Sequence, residues 1–152
     1  MQPSTDTPFS IRPAHADELA WVNARYADID FVPSPPTDLV MIASAGGVPA
    51  GLGRVVPLAP GIGELGGMLV FDEFQGRGLA KAIIASLCAL PGFSALYCLP
   101  FAELETLYAA MGFAQVPDDG TVPPHVSQKY KWCNQHYGKP VLLMRRDAAM
   151  SG

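Results

Sequence analysis

A chain of 152 residues, 49% hydrophobic and only 16% charged, is long enough for one domain that buries roughly two-thirds of the surface its unfolded form exposes, which excludes a disordered or coiled-coil protein. A formal net charge of −4, with Lys and Arg scattered along the chain, excludes the electrostatic footprint of a nucleic-acid binder and suits a cationic or amine ligand. The start, Met1 to Phe9, has neither a basic nor an apolar targeting region, and Pro91-Gly92 and Pro100 break the uncharged stretch Ala82 to Ala102 into pieces too short to cross a bilayer, so the expectation is a cytoplasmic protein with no membrane partner.

Residues 1–8 are expected to be a flexible lead. Phe9-Ser-Ile-Arg-Pro13 alternates apolar and polar residues and ends in proline, which suits a short first strand. Asp17-Glu18 open a helix whose apolar face is Leu19, Val22 and Tyr26. The three prolines of Phe31-Val-Pro-Ser-Pro-Pro-Thr-Asp38 make a loop, with Phe31 its one aromatic. Leu39 to Ala43 and Pro49 to Val56, joined at Gly46-Gly47, read as a hairpin. After a turn at Pro60-Gly61, Gly63 to Phe71 is the third strand of the meander. Gly66-Gly67 inside it marks a bulge or a place where a ligand comes close to the backbone.

Next comes Gln75-Gly76-Arg77-Gly78-Leu79-Ala80, a glycine-punctuated turn between an apolar strand and an apolar helix. This order points unpaired backbone N–H groups and the positive end of the helix dipole at an anion such as phosphate. The helix carries Leu79, Ile83, Leu87 and Leu90 on one face and ends before Pro91-Gly92. Ser94 to Leu99 is a nearly continuous apolar run, as a central parallel strand would be. Glu103 to Met111 form a helix with Gly112 as its C′ residue. Phe113 to Val116 begins another strand, His125 to about His136 is a polar helix candidate, and Pro140 to Arg146 is the last strand. The long connection from Pro117 to Lys139 has the character of a binding element. No internal repeat and no second domain are visible, so residues 1–152 are expected to form a single domain.

Cys88, Cys98 and Cys133 are odd in number and widely spaced, which fits buried, reduced thiols. Cys133 and His136 have ligand spacing, but one such pair does not make a metal site, and no metal is expected. A dinucleotide-binding fingerprint is excluded because Lys81 stands where its third glycine belongs, and a nucleoside triphosphatase because no Gly-Lys-Ser/Thr occurs.

The element order, Gln75-Gly-Arg-Gly-Leu-Ala80 and the later Leu107-Tyr-Ala-Ala-Met-Gly-Phe113 together resemble the GNAT superfamily of N-acetyltransferases over nearly the whole chain. The resemblance implies a single-domain α/β (α+β) acyl-CoA N-acyltransferase fold. Its central sheet is mixed, mostly antiparallel and splayed at its middle strands, with helices on both faces. It implies acetyl-CoA as acyl donor, with the pyrophosphate on the amides of Gln75, Gly76, Arg77, Gly78, Leu79 and Ala80, and the pantetheine arm along the backbone of Met68, Leu69 and Val70. Arg77 could add a charge-assisted contact to phosphate. A backbone N–H near Leu69 would hold the oxyanion. Tyr108 matches the tyrosine that acts as general acid towards the coenzyme A sulfur, and Glu64 lies where some members carry a base glutamate.

Read without the resemblance, Tyr108 is a core tyrosine on an apolar stripe and Glu64 a solvated strand end after a Pro-Gly turn. Phe31 is either part of an acceptor pocket or a hydrophobic anchor for its loop. Where many members have an asparagine before the tyrosine and an alanine between the two, this chain has Phe101 and Leu104, so one side-chain contact to pantetheine is missing. The expected reaction is acetyl transfer to a primary amine of a small-molecule acceptor, by an enzyme compatible with a homodimer. The competing reading is a non-catalytic acyl-CoA-binding module of the same fold.

Overall fold

The alternation read in the sequence becomes a mixed sheet in the computed structural model, which describes residues 8–148. The strands are β1 (Phe9–Pro13), β2 (Leu39–Ala45), β3 (Val48–Ala59), β4 (Ile62–Val70), β5 (Ala95–Cys98), β6 (Ala114–Gln115) and β7 (Met144–Asp147), in the order β1-β2-β3-β4-β5-β7-β6. β1 with β2, β2 with β3, β5 with β7 and β6 with β7 pair antiparallel, whereas β4 with β5 is parallel. The helices are α1 (Leu19–Ala27), α2 (Leu79–Cys88), α3 (Glu105–Ala110) and α4 (Pro124–His136). Of the lead expected at residues 1–8, all but Pro8 lies outside the described residues.

Within the described residues, the chain up to Val56 together with Gly66–Leu90 forms one compact unit; Pro57–Leu65 together with the chain from Pro91 forms another. In the first, the register pairs Val40 with Arg54 and Ile42 with Leu52 on one face of the β2–β3 ladder, and Met41 with Gly53 and Ala43 with Gly51 on the other. α1 covers the first face, since Val22 and Tyr26, both fully buried, pack with Val40, Ile42 and Leu52. α2 covers the second. A Cβ on Gly53 would stand 2.6 Å from Ile83 Cγ2 and 2.9 Å from Leu87 Cδ1, so the helix lies this close only because the strand carries no side chain there. Helices therefore flank both faces of this ladder, as expected.

In the second unit, Ile62, Gly63 and Glu64 pair with Ala95, Leu96 and Tyr97, and the parallel ladder ends there. α4 packs through Val126 onto Tyr97, Leu143 and Val122, with Ile62 and Leu58 at the margin. α3 ends at Ala110 with Met111 as its C-cap, and Gly112 follows with φ 93°, the left-handed C′ residue that was anticipated.

The last strand differs from its sequence reading. β7 begins only at Met144, and Val141 makes an isolated bridge to Phe101. The segment before β7 is still paired on one side, with Leu142 N–H donating to the Pro100 carbonyl at 2.8 Å and Ala102 N–H to the Pro140 carbonyl at 3.0 Å, while on the other side the Asn134 side chain of α4 accepts from the Val141 N–H at 2.9 Å and donates to the Val141 carbonyl at 3.1 Å. Among the described residues, no helix is long and apolar enough to cross a membrane.

Candidate active site

The strand-to-helix turn after β4 is built by the backbone. A short helical turn at Asp72–Phe74 buries Phe74, and the chain then passes through Gly76 (φ 80°) and Gly78 (φ 76°) before α2 begins. Two left-handed residues so close together turn successive amides toward one side, and a methyl group at either glycine would meet open space. Ala82 donates the first intrahelical hydrogen bond, to the Gly78 carbonyl, so the amides of Gly78 to Lys81 precede the helix's own ladder. Buried Leu79 fixes the helix start to the core. The exposed Gln75 side chain turns back, donating to the Val70 carbonyl at 3.1 Å, and the Arg77 guanidinium lies 5.4 Å from the Phe74 ring centre. The Gln75 N–H donates to the Asp72 carbonyl at 3.4 Å, and the helix start beyond it, the absence of side chains on Gly76 and Gly78 and a nearby guanidinium fit a pyrophosphate.

Met68, Leu69 and Val70 are all half-buried on β4. The strand is distorted just before them, since Gly67 has φ 60°. A Cβ there would lie 2.7 Å from the Tyr26 hydroxyl oxygen and 2.8 Å from Arg54 Nε, so only glycine fits. The Tyr26 hydroxyl donates to the Gly67 carbonyl at 2.8 Å, and the Arg54 guanidinium sits 4.4 Å from the Tyr26 ring centre. Arg54 also donates from Nη1 to the Val32 carbonyl (2.8 Å) and to Ser34 Oγ (2.7 Å). This buried network ties the proline-rich loop to β3 and β4. Sequence reasoning missed it, because its members stand far apart along the chain. Phe31 stacks on Tyr26 at 5.9 Å and remains 37% exposed.

Glu64 is not the solvated strand end that its Pro-Gly turn suggested, for only 3% of it is exposed. Its Oε2 accepts from Lys129 Nζ at 2.7 Å, and its Oε1 lies 3.4 Å from His125 Nε2. Oε1 is buried and has no hydrogen-bond partner among the described residues. His125 and Lys129 are one turn apart on α4, with Cys133 a turn further on, where burial pushes its thiol up and the Lys129 charge opposes that rise. The spacing of His125, Lys129 and Cys133 is the only trace of this cluster in the sequence.

Tyr108 is also buried, 6% exposed, with its ring edge-on to Phe113 at 5.8 Å. Phe101, in place of the asparagine, packs edge-on against Tyr137 at 5.5 Å, with Lys139 Nζ 5.7 Å from its ring centre. Cys98 and Cys133 are buried and Cys88 is half-buried. His136 stacks on Trp132 rather than joining Cys133, and no cluster of metal-ligating side chains exists among the described residues.

The family model of the acetyltransferase (GNAT) family matches residues 5–113. No curated protein sequence matches the chain significantly. Among solved structures, N-acetylglutamate synthase from Neisseria gonorrhoeae, complexed with coenzyme A and N-acetyl-glutamate, matches with a TM-score of 0.71 at 17% identity. That match covers 95% of this chain and 36% of the synthase, so the chain spans little more than a third of that protein. A GNAT family acetyltransferase from Elizabethkingia anophelis with acetyl-CoA bound matches at 0.66 and 14% identity, over 91% of this chain and 97% of the other. A Mycobacterium tuberculosis protein in complex with CoA matches at 0.68 and 13%, over 92% and 99%. At these identities the likeness is one of fold.

Proposed function

The chain belongs to the GNAT family of acetyltransferases, and from that premise we propose that it transfers an acetyl group from acetyl-CoA to the primary amine of a small-molecule acceptor by direct attack. The observation that carries this reading is the turn after β4, where left-handed Gly76 and Gly78 put no side chain over the approach to α2. The pyrophosphate binds the amides of Gln75 to Ala80 with Arg77 beside it, and the pantetheine arm follows the backbone of Met68 to Val70. The CoA complexes among the solved structures of this fold support the donor. N-acetyl-glutamate in the synthase supports a small acceptor.

An amine near neutral pH is mostly ammonium and must lose a proton before it attacks. Glu64 takes that proton. The nitrogen then bonds to the thioester carbonyl carbon, a backbone N–H near Leu69 holds the oxyanion, and collapse of the adduct breaks the C–S bond. The thiolate leaves with a proton from the Tyr108 hydroxyl. Phe31, stacked yet partly exposed, belongs to the acceptor side of the reading.

A second reading, an acyl-CoA-binding module without chemistry, draws on the ion pair that already engages Glu64 with Lys129. Calorimetry with acetyl-CoA and desulfo-CoA tests binding, and a panel of amino acids, polyamines and arylalkylamines read by free-thiol release tests transfer. Binding with thiol release supports the transferase, binding without release supports the module, and no binding to either ligand at millimolar concentration sinks both.

A further inference from the structure

Glu64 is so deeply buried that a proton arriving on it needs a way out. Lys129 cannot carry it, since an ammonium held at 2.7 Å from Oε2 only donates. Oε1, the oxygen without a hydrogen-bond partner among the described residues, is directed to the imidazole of His125. That imidazole is 59% exposed, so one ring spans the distance from a buried carboxylate oxygen to bulk water. Imidazole is also the side chain that both accepts and releases a proton near neutral pH. The separation of 3.4 Å is slightly long for a hydrogen bond, as is common at sites whose contacts tighten when substrate binds.

We infer that His125 is the exit of a proton relay that runs from the acceptor ammonium through Glu64 Oε1 to His125 Nε2 and on to solvent, with Lys129 Nζ fixing Oε2 at 2.7 Å. The inference rests on the proposed amine acetylation and deepens it. In each turnover the ammonium N–H bond breaks and its proton goes to Oε1. The proton then passes from Oε1 to the lone pair of Nε2, 3.4 Å away, forming imidazolium. The imidazolium releases the proton on its other nitrogen to water, and a ring flip or proton exchange with water restores the starting tautomer. The attacking nitrogen keeps the electron pair, and no oxidant or further reactant is consumed. The groups that face the relay are Lys129 and Cys133 from α4 and, on β5, Tyr97, in register with Glu64. His125 acts through Glu64 and is a positioning and relay residue.

The test uses the full chain, acetyl-CoA and the amine from the panel that releases thiol fastest. His125→Ala should lower kcat about tenfold while the acceptor KM stays within about twofold. Imidazole added to the buffer should restore much of the rate, and the pH profile of kcat should differ from that of wild type. His125→Gln, which keeps a polar side chain at the helix start, should lose the same rate, so a folding defect is not mistaken for a lost relay. An unchanged kcat in both variants overturns the relay, and so does a lowered kcat that imidazole does not restore and whose pH profile matches wild type. If Glu64→Gln keeps the full rate, the relay and the role of Glu64 fall while acetyl transfer stands. If wild type binds acetyl-CoA but releases no thiol across the panel, or fails to bind it, the transferase reading falls and takes the relay with it.

Discussion

The turn after β4 and the cluster around Glu64 carry the two halves of the proposed reaction, and they are made by opposite means. The turn is contiguous, and its proposed chemistry belongs to the main chain, where Gly76 and Gly78 adopt left-handed conformations beneath open space. The Glu64 cluster is made of side chains, with a buried carboxylate on β4 meeting an imidazole and an ammonium on α4. A backbone site suits a ligand part common to a whole family, because amides bind any phosphate and vary little when side chains change. A side-chain site suits proton transfer, where basicity has to be set by particular neighbours. Binding of the donor and the chemistry on it should therefore separate cleanly under mutation.

The largest effect is expected where the backbone itself is constrained. Gly67→Ala places a methyl group 2.7 Å from the Tyr26 hydroxyl in a left-handed residue, and the combined strain and overlap should cost about 3 kcal/mol, lowering Tm by roughly 6–12 °C in a thermal melt. Gly78→Ala meets no neighbouring atom, so it isolates conformation from clash. The left-handed penalty of about 1–2 kcal/mol should weaken acetyl-CoA binding roughly tenfold by calorimetry, whereas Glu64→Gln should leave that affinity within about twofold. Equal losses of affinity in these two variants would break the division between backbone and side-chain sites. On the chemical side, Tyr108→Phe should lower kcat about tenfold or more in stopped-flow or steady-state assays, with acetyl-CoA affinity retained.

A smaller effect concerns the support of β4. Burial pushes the Tyr26 phenol well above its ordinary value of 10.0, against the opposing pull of the Arg54 charge. The unfolded chain ionises this tyrosine above pH 10 while the folded chain keeps it neutral. Its contribution is thus complete below that pH and lost as pH rises through the alkaline range. Tm measured against alkaline pH should fall more steeply for wild type than for Tyr26→Phe.

The same contrast explains what could be read from the sequence. The hairpin, the order of helices about the mixed sheet and the C′ role of Gly112 all follow from local alternation, helical spacing and glycine placement. The glycine turn was legible because its residues are consecutive. The surroundings of Glu64 were not, since a glutamate after Pro60-Gly61 looks solvated until α4 is laid over it, and the partners lie at positions 125 and 129. The Tyr26, Arg54 and Gly67 network was hidden in the same way, although Gly66-Gly67 did signal a distorted strand. The engagement of Val141 ahead of β7 had no local sign, because its hydrogen-bonding partner is the side chain of Asn134 on α4.

The central claim is that the turn after β4 holds a coenzyme A thioester. Calorimetric titration of the wild-type chain with acetyl-CoA, repeated on Gly78→Ala under the same conditions, tests it most directly. Saturable one-to-one binding by wild type, weakened roughly tenfold in the variant, is the predicted result. No heat of binding at millimolar acetyl-CoA, or identical affinity in the two proteins, would contradict it.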